Sequence, residues 1–226
     1  MCNITCIIFG TKYLRGRDIK GKKVLEIGSM DVNGSLRSFV ESRNPEQYIG
    51  VDLSQGKGVD FVCDAEKLLD IFEPDSFDIV ISTELLEHVK NWKQVIHNIK
   101  TVCKPGGIIL VTTRSLGFPY HEYPFDFWRY ETQDLLKIFS DCSMEVLEKD
   151  TLAPGVFMKA EKPFNFSEID LLNFELYSII AGKRIENISD QNLKSWYFRR
   201  LNFKMLLKKR ILIVLSTLSR LFRLNV

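Results

Sequence analysis

Residues 24–35 read VLEIGSMDVNGS, and this stretch decides the fold class. It begins with a short apolar run typical of a buried β-strand and continues through a glycine-containing turn into the start of a helix. Glycine lets a backbone turn sharply and approach a bound molecule closely. A strand that passes through such a turn into a helix predicts a βα unit of an α/β protein.

Apolar runs and helical periodicity continue to alternate along the chain as far as residue 160. Predicted strands occupy residues 24–27, 48–52, 60–63, 77–82, 107–113, 144–149 and 155–160, and predicted helices occupy residues 35–43, 91–103 and 131–140. Strands that alternate with helices form right-handed βαβ crossovers. The pattern therefore predicts a doubly wound, mostly parallel seven-stranded sheet, and the two closely spaced last runs predict an antiparallel final hairpin.

The ends of the predicted strands carry acidic side chains. Glu26, Asp52 and Asp64 each lie at or directly after a strand end, where doubly wound sheets bind their ligands. Asp52 can accept from both hydroxyls of a ribose, and Asp64 from an adenine amino group. The glycine loop lacks the G-x-G-x-x-G spacing and the nearby cation of a phosphate site, which disfavours a nicotinamide oxidoreductase. The acids instead suit an adenosine ligand that carries a sulfonium and an ammonium.

Five segments, in this order, resemble the motifs of class I S-adenosylmethionine-dependent methyltransferases of the broad type 11 group. They are VLEIGSMDVNGS (24–35), YIGVDLS (48–54), VDFVCDAE (59–66), FDIVISTELLEHV (77–89) and VCKPGGIILVTTRS (102–115). The resemblance implies a Rossmann-like fold with S-adenosyl-L-methionine as the methyl donor. It covers roughly residues 20–160.

The resemblance also implies cofactor contacts, residue by residue. It assigns the methionine part to Glu26, Gly28, Ser29, Met30, Asp31 and Gly34, the ribose to Asp52 and Leu53, the adenine to Asp64 and Ala65, and the surroundings of the sulfonium to Ser82 and Thr83. The loop departs from the usual E-x-G-x-G-x-G pattern, because Met30 and Val32 replace the second and third glycines. It resembles the G-S-x-D-x-N-G-S variant of bacterial and archaeal members, with a longer loop whose amides are placed differently.

An aromatic segment after the fifth predicted strand is the predicted acceptor loop. Residues 117–130 read GFPYHEYPFDFWRY and resemble the H-x-Y-P-x-D-(F/Y)-W-R-(F/Y) segment of type 11 members encoded with glycan or lipid biosynthesis enzymes. A loop at the carboxyl end of a central strand is typical of a lid or binding pocket. Phe127 and Trp128 are expected to pin the loop by packing. Asp126 and Arg129 either contact the acceptor or pair with each other.

Methyl transfer to oxygen or nitrogen benefits from a base with a pKa near neutrality, which favours histidine. The predicted catalytic residues are His121 in the acceptor loop, His88 after the fourth strand, and Arg129. A structural hydrogen-bonding role remains the alternative for both histidines. His97 falls among polar neighbours in a predicted helix, so we expect it at the surface.

The five cysteines are scattered and form no C-x-x-C pair, so they predict reduced thiols in a cytoplasmic protein rather than a disulfide framework, and no metal site is expected. The amino-terminal segment lacks the features of a signal peptide. No apolar run reaches the roughly 18 residues that span a bilayer.

Charge divides the chain into two predicted regions: a methyltransferase domain, residues 1–163, and a helical, basic, amphipathic extension, residues 164–226. Residues 191–226 contain nine Lys or Arg and no acid, which leaves 22 basic against 29 acidic residues in the rest of the chain. The extension either packs on the core or a partner subunit, or contacts an anionic membrane through residues 201–226. Nucleic acid is a disfavoured partner, because the tail has few aromatics for stacking.

These features predict an enzyme that transfers a methyl group to an oxygen or nitrogen, with carbon as a further option, of a small-molecule, glycan or lipid-linked acceptor. The alternative is a cofactor-binding pseudoenzyme that scaffolds other proteins at a membrane. The oligomeric state stays open.

Overall fold

The computed structural model describes residues 3–121 and 125–207. Its helices are α1 (Ile4–Tyr13), α2 (Gly16–Ile19), α3 (Arg37–Glu41), α4 (Trp92–Val102), α5 (Thr132–Ile138), α6 (Asp190–Leu193) and α7 (described over residues 196–207), with a 3₁₀ helix at Ala65–Asp70. Its strands are β1 (Lys23–Ile27), β2 (Gln47–Asp52), β3 (Phe61–Val62), β4 (Phe77–Thr83), β5 (Cys103–Arg114), β6 (Trp128–Arg129), β7 (Ser143–Lys149), β8 (Gly155–Glu161), β9 (Leu176–Ser178) and β10 (Lys183–Ile185).

The main sheet has seven strands in the order β3-β2-β1-β4-β5-β8-β7. Strands β1 to β5 pair in parallel, whereas β8 is antiparallel to both β5 and β7. The predicted fold class, including the antiparallel final hairpin, is confirmed. The strand order reverses between β1 and β4, and this point is where a doubly wound sheet leaves a crevice for a ligand.

Both faces of the central strands β1 and β4 are covered, which explains why these strands are almost continuously apolar. In β4, Val80 belongs to the hydrophobic cluster under α4 and α5, whereas Ile79 and Ile81 belong to the cluster under α1 and α3. This alternation follows from the two-residue period of a strand. The two layers hold the strand ends in fixed positions, and the candidate site is built on those ends.

A second, three-stranded sheet joins the acceptor loop to the chain beyond residue 163. Its order is β10-β9-β6, and Trp128 and Arg129 of β6 pair with Ser178 and Tyr177 of β9. The described part of the extension therefore contains two short strands, and its helical part begins only at Asp190. The sequence shows no clear strand signal there, because strands of three residues are too short to establish a period of two.

The extension shares the main hydrophobic core. Leu176, Ile180, Ile188 and Phe198 are buried in the same cluster as the residues of α4 and α5. A buried ion pair, Lys100 with Asp141 at 2.6 Å, also holds the backbone amide of Ile169 through the Asp141 carboxylate. Within residues 3–121 and 125–207, no helix has the length and apolar character needed to cross a membrane.

Candidate functional site

A cavity of about 430 Å³ opens at the carboxyl ends of β1, β2 and β4, where the strand order reverses. This volume is in the range of sites that hold small molecules. Its wall comes from four chain segments: residues 27–32 after β1, residues 51–54 after β2, residues 63–66 after β3 and residues 84–90 after β4, with Phe127 of the acceptor loop. The predicted location of the ligand site thus coincides with a real cavity.

The loop after β1 is held against β2 by backbone hydrogen bonds. The amides of Gly28 and Ser29 both donate to the carbonyl of Val51, at 2.9 and 3.0 Å. Gly28 has φ +79°, and a Cβ added there would lie 3.1 Å from the Cβ of Leu85. Glycine is required because the chain turns in the left-handed region while it passes close to the segment after β4.

Asp52 and Asp64 lie at neighbouring strand ends, as predicted, and both line the cavity. Asp52 accepts from the Met30 amide at 3.2 Å, so it also anchors the glycine loop. Asp64 caps the 3₁₀ helix by accepting from the Glu66 amide at 2.9 Å. The other oxygen of Asp52 accepts from the Ser54 amide at 3.3 Å. Backbone amides therefore hold both carboxylates in place, so a ligand does not have to immobilise them.

The predicted cofactor residues fall into two groups. Gly28, Met30, Asp52, Leu53, Asp64 and Ala65 line the cavity, whereas Glu26, Ser29, Asp31, Gly34, Ser82 and Thr83 are not part of its lining. Asp31, for example, pairs with Lys57 at 2.6 Å and accepts from the Gly34 amide at 3.0 Å. The hydrogen bond from Lys57 is the main reason that the pKa of Asp31 is lowered. Within the second group, Glu26, Ser29, Asp31 and Gly34 belong to the end of β1 and the glycine loop, whereas Ser82 and Thr83 belong to β4.

Glu26 is buried at the end of β1, with 2% of its surface exposed. Its carboxylate accepts hydrogen bonds from the hydroxyls of Tyr48 and Ser35. Burial raises the pKa of Glu26 to about 7, against the opposing effect of these two hydrogen bonds. This acid therefore changes its charge near neutral pH, directly beneath the glycine loop.

Glu84, which directly follows β4, lines the cavity and is absent from the sequence-based assignment. It is buried, has φ +54°, and forms an ion pair with Arg114. Burial raises its pKa well above the usual range. The available signal was its position at a strand end, the same criterion that identified Asp52 and Asp64.

The acceptor loop docks on the turn after β4. The backbone amide of Phe127 donates to the Glu87 carbonyl at 2.7 Å, and the Trp128 indole donates to the Val89 carbonyl at 3.0 Å. Phe127 and Trp128 are both buried, and Phe127 reaches the cavity wall. The loop is thereby positioned as one side of the site.

Arg129 is 1% exposed and pairs with Asp126, with one nitrogen–oxygen distance of 2.6 Å. It also donates to the carbonyls of Phe118, Pro119 and Trp128. These contacts make Arg129 a positioning residue that holds the loop, since its guanidinium points into the loop and not into the cavity wall. The same Asp126 oxygen, Oδ2, also lies 2.9 Å from Nδ1 of His121.

The two candidate histidines face each other. Their ring centroids are 4.7 Å apart, and His88 lines the cavity. Nδ1 of His88 lies 2.7 Å from the Phe125 carbonyl. Burial is the main cause that lowers the pKa of His88, so its neutral imidazole predominates at neutral pH. His97 instead lies on α4 away from the site, 2.7 Å from a carboxylate oxygen of Glu168.

A family model described as a methyltransferase domain matches residues 9–151, which is well over half of the chain. A Ubiquinone biosynthesis O-methyltransferase of Idiomarina loihiensis is 34% identical over 106 residues, 41% of this chain and 42% of the relative. Phthiotriol/phenolphthiotriol dimycocerosates methyltransferase 1 of Mycobacterium ulcerans is 31% identical over 107 residues, 42% of this chain and 38% of the relative. The matched region thus spans less than half of either relative.

Among solved structures, the 1,6-didemethyltoxoflavin-N1-methyltransferase of Burkholderia thailandensis, with bound 1,6-didemethyltoxoflavin and S-adenosylhomocysteine, has a TM-score of 0.58. The superposition covers 70% of this chain and 78% of that chain, at 12% sequence identity. At this identity the likeness concerns the fold alone, and it agrees with the strand order described above.

We predict that replacing Glu26 by Gln changes the pH dependence of stability. The pKa of Glu26 in the folded protein, about 7, lies above the value near 4.3 of an unfolded chain, so its contribution is full below about pH 4 and is lost as the pH rises through 7. The free energy of unfolding lost in this way, between about pH 4 and pH values above 7, is on the order of 3 kcal/mol. Glu26→Gln cannot ionise, so its free energy of unfolding relative to wild type should increase between pH 5 and pH 8. Urea unfolding at both pH values measures this, and a constant difference between the two proteins would contradict it.

Proposed function

Because the chain belongs to the methyltransferase-domain family, we propose that it transfers a methyl group from S-adenosylmethionine to a hydroxyl oxygen of its acceptor. The observation that supports this most is the cavity itself, which combines the strand-end acids with an adjoining pair of histidines. The likeness to an O-methyltransferase in sequence favours oxygen as the acceptor atom. The acceptor is a small molecule, a glycan or a lipid-linked compound.

The cavity suits a nucleoside with a positively charged tail. Asp52 is placed to take the ribose hydroxyls, and Asp64 with the Ala65 amide to take the adenine. Met30 and Leu53 supply apolar surface between them. Glu84 adds a carboxyl group directly after β4, in the same segment whose Glu87 carbonyl accepts from the Phe127 amide of the acceptor loop. Acids without a neighbouring phosphate cradle favour a cation over an anionic dinucleotide.

S-adenosylmethionine, when bound, supplies an electrophilic methyl group. The task of the protein is then to align the acceptor oxygen and remove its proton, since positioning supplies much of the rate enhancement of a displacement reaction. His121 is the proposed base. Its Nδ1 donates a hydrogen bond to the Asp126 carboxylate, which leaves the lone pair of Nε2 free to accept the proton. His88 lines the acceptor side, and Arg129 holds Asp126 in place.

Replacing Asp52 by Ala should weaken binding of S-adenosylhomocysteine by about 10- to 100-fold, because hydrogen bonds to a charged group contribute about 1.5–3 kcal/mol. Isothermal titration calorimetry measures this. Glu46→Ala is the matched control, because Glu46 is an exposed acid just before the other end of the same strand, β2. Unchanged affinity in Asp52→Ala, or the same loss in Glu46→Ala, would contradict the assignment.

Replacing His121 by Ala should lower kcat by about 10²–10⁴-fold while the affinity for the cofactor product stays within about twofold, because a base acts on the acceptor and not on the cofactor. His97→Ala, in which an exposed histidine also loses a carboxylate partner, is the control. Transfer of a labelled methyl group to lipid, glycan and small-molecule fractions measures turnover. Cofactor binding without transfer to any fraction would favour the scaffolding alternative.

The described part of α7 has two different faces. Phe198 is buried, and Leu201 and Met205 pack against the main core. The opposite face exposes Trp196, at 72%, and Phe203, at 67%. Leu206, Leu207, Arg199, Arg200 and Lys204 are exposed as well. The amphipathic prediction extended over residues 201–226, of which 208–226 lie outside the described residues.

The two alternatives for the extension are therefore compatible with each other. One face of α7 packs on the core, and the other combines aromatic and basic side chains, which is typical of a helix at an anionic membrane surface. We propose that this outer face places the enzyme at such a surface, where a lipid-linked acceptor is available.

The full-length protein should sediment with anionic vesicles but not with neutral vesicles, and salt should reduce the bound fraction. Trp196→Ala combined with Phe203→Ala should reduce the bound fraction at least severalfold. Phe164→Ala is the control, because Phe164 is equally exposed but lies outside α7. Full-length protein that stays in the supernatant with anionic vesicles at low salt would rule out the membrane proposal.

A further inference from the structure

Three hydrogen-bond acceptors converge where the acceptor loop meets the turn after β4. They are one carboxylate oxygen of Glu87 and a ring nitrogen each of His88 and His121, and these atoms all lie within 4.8 Å of one another. Glu87 is fully buried. Its Oε1 and the Nε2 of His88 are buried and have no hydrogen-bond partner among the described residues. Nε2 of His121 lies 4.0 Å from the same Glu87 oxygen.

The partners of the two Nδ1 atoms decide what the Nε2 atoms can do. Nδ1 of His121 lies 2.9 Å from a carboxylate oxygen of Asp126, and Nδ1 of His88 lies 2.7 Å from the carbonyl of Phe125. Both partners accept hydrogen bonds only, so each Nδ1 carries the hydrogen and donates it. In the neutral rings, both Nε2 atoms therefore present lone pairs toward Glu87.

Two buried acceptors that face a third, partly exposed one without a donor between them are unfavourable. An unsatisfied buried polar group costs about 1–3 kcal/mol, and more when it is charged. The other oxygen of Glu87 already accepts from the Thr113 hydroxyl at 2.9 Å, so Glu87 is held in place and cannot turn away without losing that bond. A cation placed among the three atoms removes the conflict.

We propose that Glu87, His88 and His121 bind a divalent transition-metal ion through Oε1 and the two Nε2 atoms. Two imidazoles and one carboxylate form a donor set typical of zinc and neighbouring first-row ions, whereas magnesium and calcium prefer oxygen ligands. Ligand atoms at about 2.1 Å from a tetrahedral zinc ion lie about 3.4 Å apart. The three atoms need to approach one another by about 1 Å, and the partly exposed His121 ring can move that far.

The surroundings are those of a metal site as well. Ligating histidines usually donate their second ring nitrogen to a carboxylate or a backbone carbonyl, which fixes the ring and its tautomer. Asp126 and the Phe125 carbonyl take these two roles here, and Thr113 orients the carboxylate. The carboxylate of Asp126 is held in turn by Arg129. Three protein ligands also leave the fourth coordination position of a tetrahedral ion open. Because His88 lines the cavity, this open position lies beside the cavity.

The catalytic role of this ion rests on the proposed function. An acceptor hydroxyl at the open position loses its proton to solvent more readily, because a divalent cation stabilises the resulting oxyanion. With the ion bound, Nε2 of His121 is a ligand, so the ion takes over the role that the proposed function gives to this nitrogen as base. The His121→Ala variant loses turnover in either case, so measurements of metal distinguish the two roles.

The test starts from the protein after a chelator has removed its metals. Calorimetry then measures the binding of Zn²⁺, and elemental analysis after dialysis measures how much Zn²⁺ stays bound. We expect wild type to bind one Zn²⁺ per chain. The affinity for Zn²⁺ should fall at least 100-fold in His121→Ala and Glu87→Gln, and about 10- to 100-fold in Asp126→Asn. His97→Ala should bind as wild type does. Co²⁺ in place of Zn²⁺ should give a visible absorption band that disappears in His121→Ala.

Two results would overturn the inference: no stoichiometric Zn²⁺ binding by wild type, or binding that His121→Ala leaves unchanged. His121 is at the surface of the site, so its variant tests the ligand set even if Glu87→Gln fails to fold. Wild-type turnover by the chelator-treated, metal-free protein would overturn the catalytic role of the ion while leaving the methyltransferase assignment intact. Absence of any methyl transfer, with Zn²⁺ bound as expected, would instead count against the proposed function alone.

Discussion

The backbone carbonyl of Glu87 accepts hydrogen bonds from the amides of both Phe127 and Trp128, at 2.7 and 3.3 Å. These bonds join two segments that are forty residues apart in sequence. The turn after β4 lines the cavity, and the loop that precedes β6 closes one side of it through Phe127. Since β6 also pairs with β9, the same junction brings in the chain beyond residue 163.

The side chain of Glu87 contributes to this junction because it is fully buried between the two segments. Burying a carboxylate is costly unless partners compensate for the lost water. Thr113, at the end of β5, provides one partner, and the histidine pair lies at the other oxygen. A core built for stability alone would place an apolar residue here. The acid is therefore best explained by what it holds in the site.

Buried acids at the ends of β1 and β4 follow the same rule. Glu84 pairs with Arg114, which also reaches Asp150 at 3.1 Å, so this network ties β4, β5 and the turn between β7 and β8 together. Glu26 accepts hydrogen bonds from two hydroxyl groups instead. Burial raises the pKa of Glu26 to about 7 and that of Glu84 well above its usual range, so neither the cation nor the hydroxyl groups fully offset the loss of water around these acids.

The sequence by itself determined the order of the seven main-sheet strands, the helices α3, α4 and α5 between them, and the position of Asp52 and Asp64 at strand ends, because an apolar run and its last residue are local properties of the chain. It also identified His88 and His121 individually. Only the tertiary structure decided that these two rings face each other and Glu87, that Glu84 reaches the cavity, and that Arg129 points into the loop. Each of these depends on how the turn after β4 meets the acceptor loop. That meeting is a contact between distant segments, and neither hydrophobic periodicity nor strand-end position carries information about it.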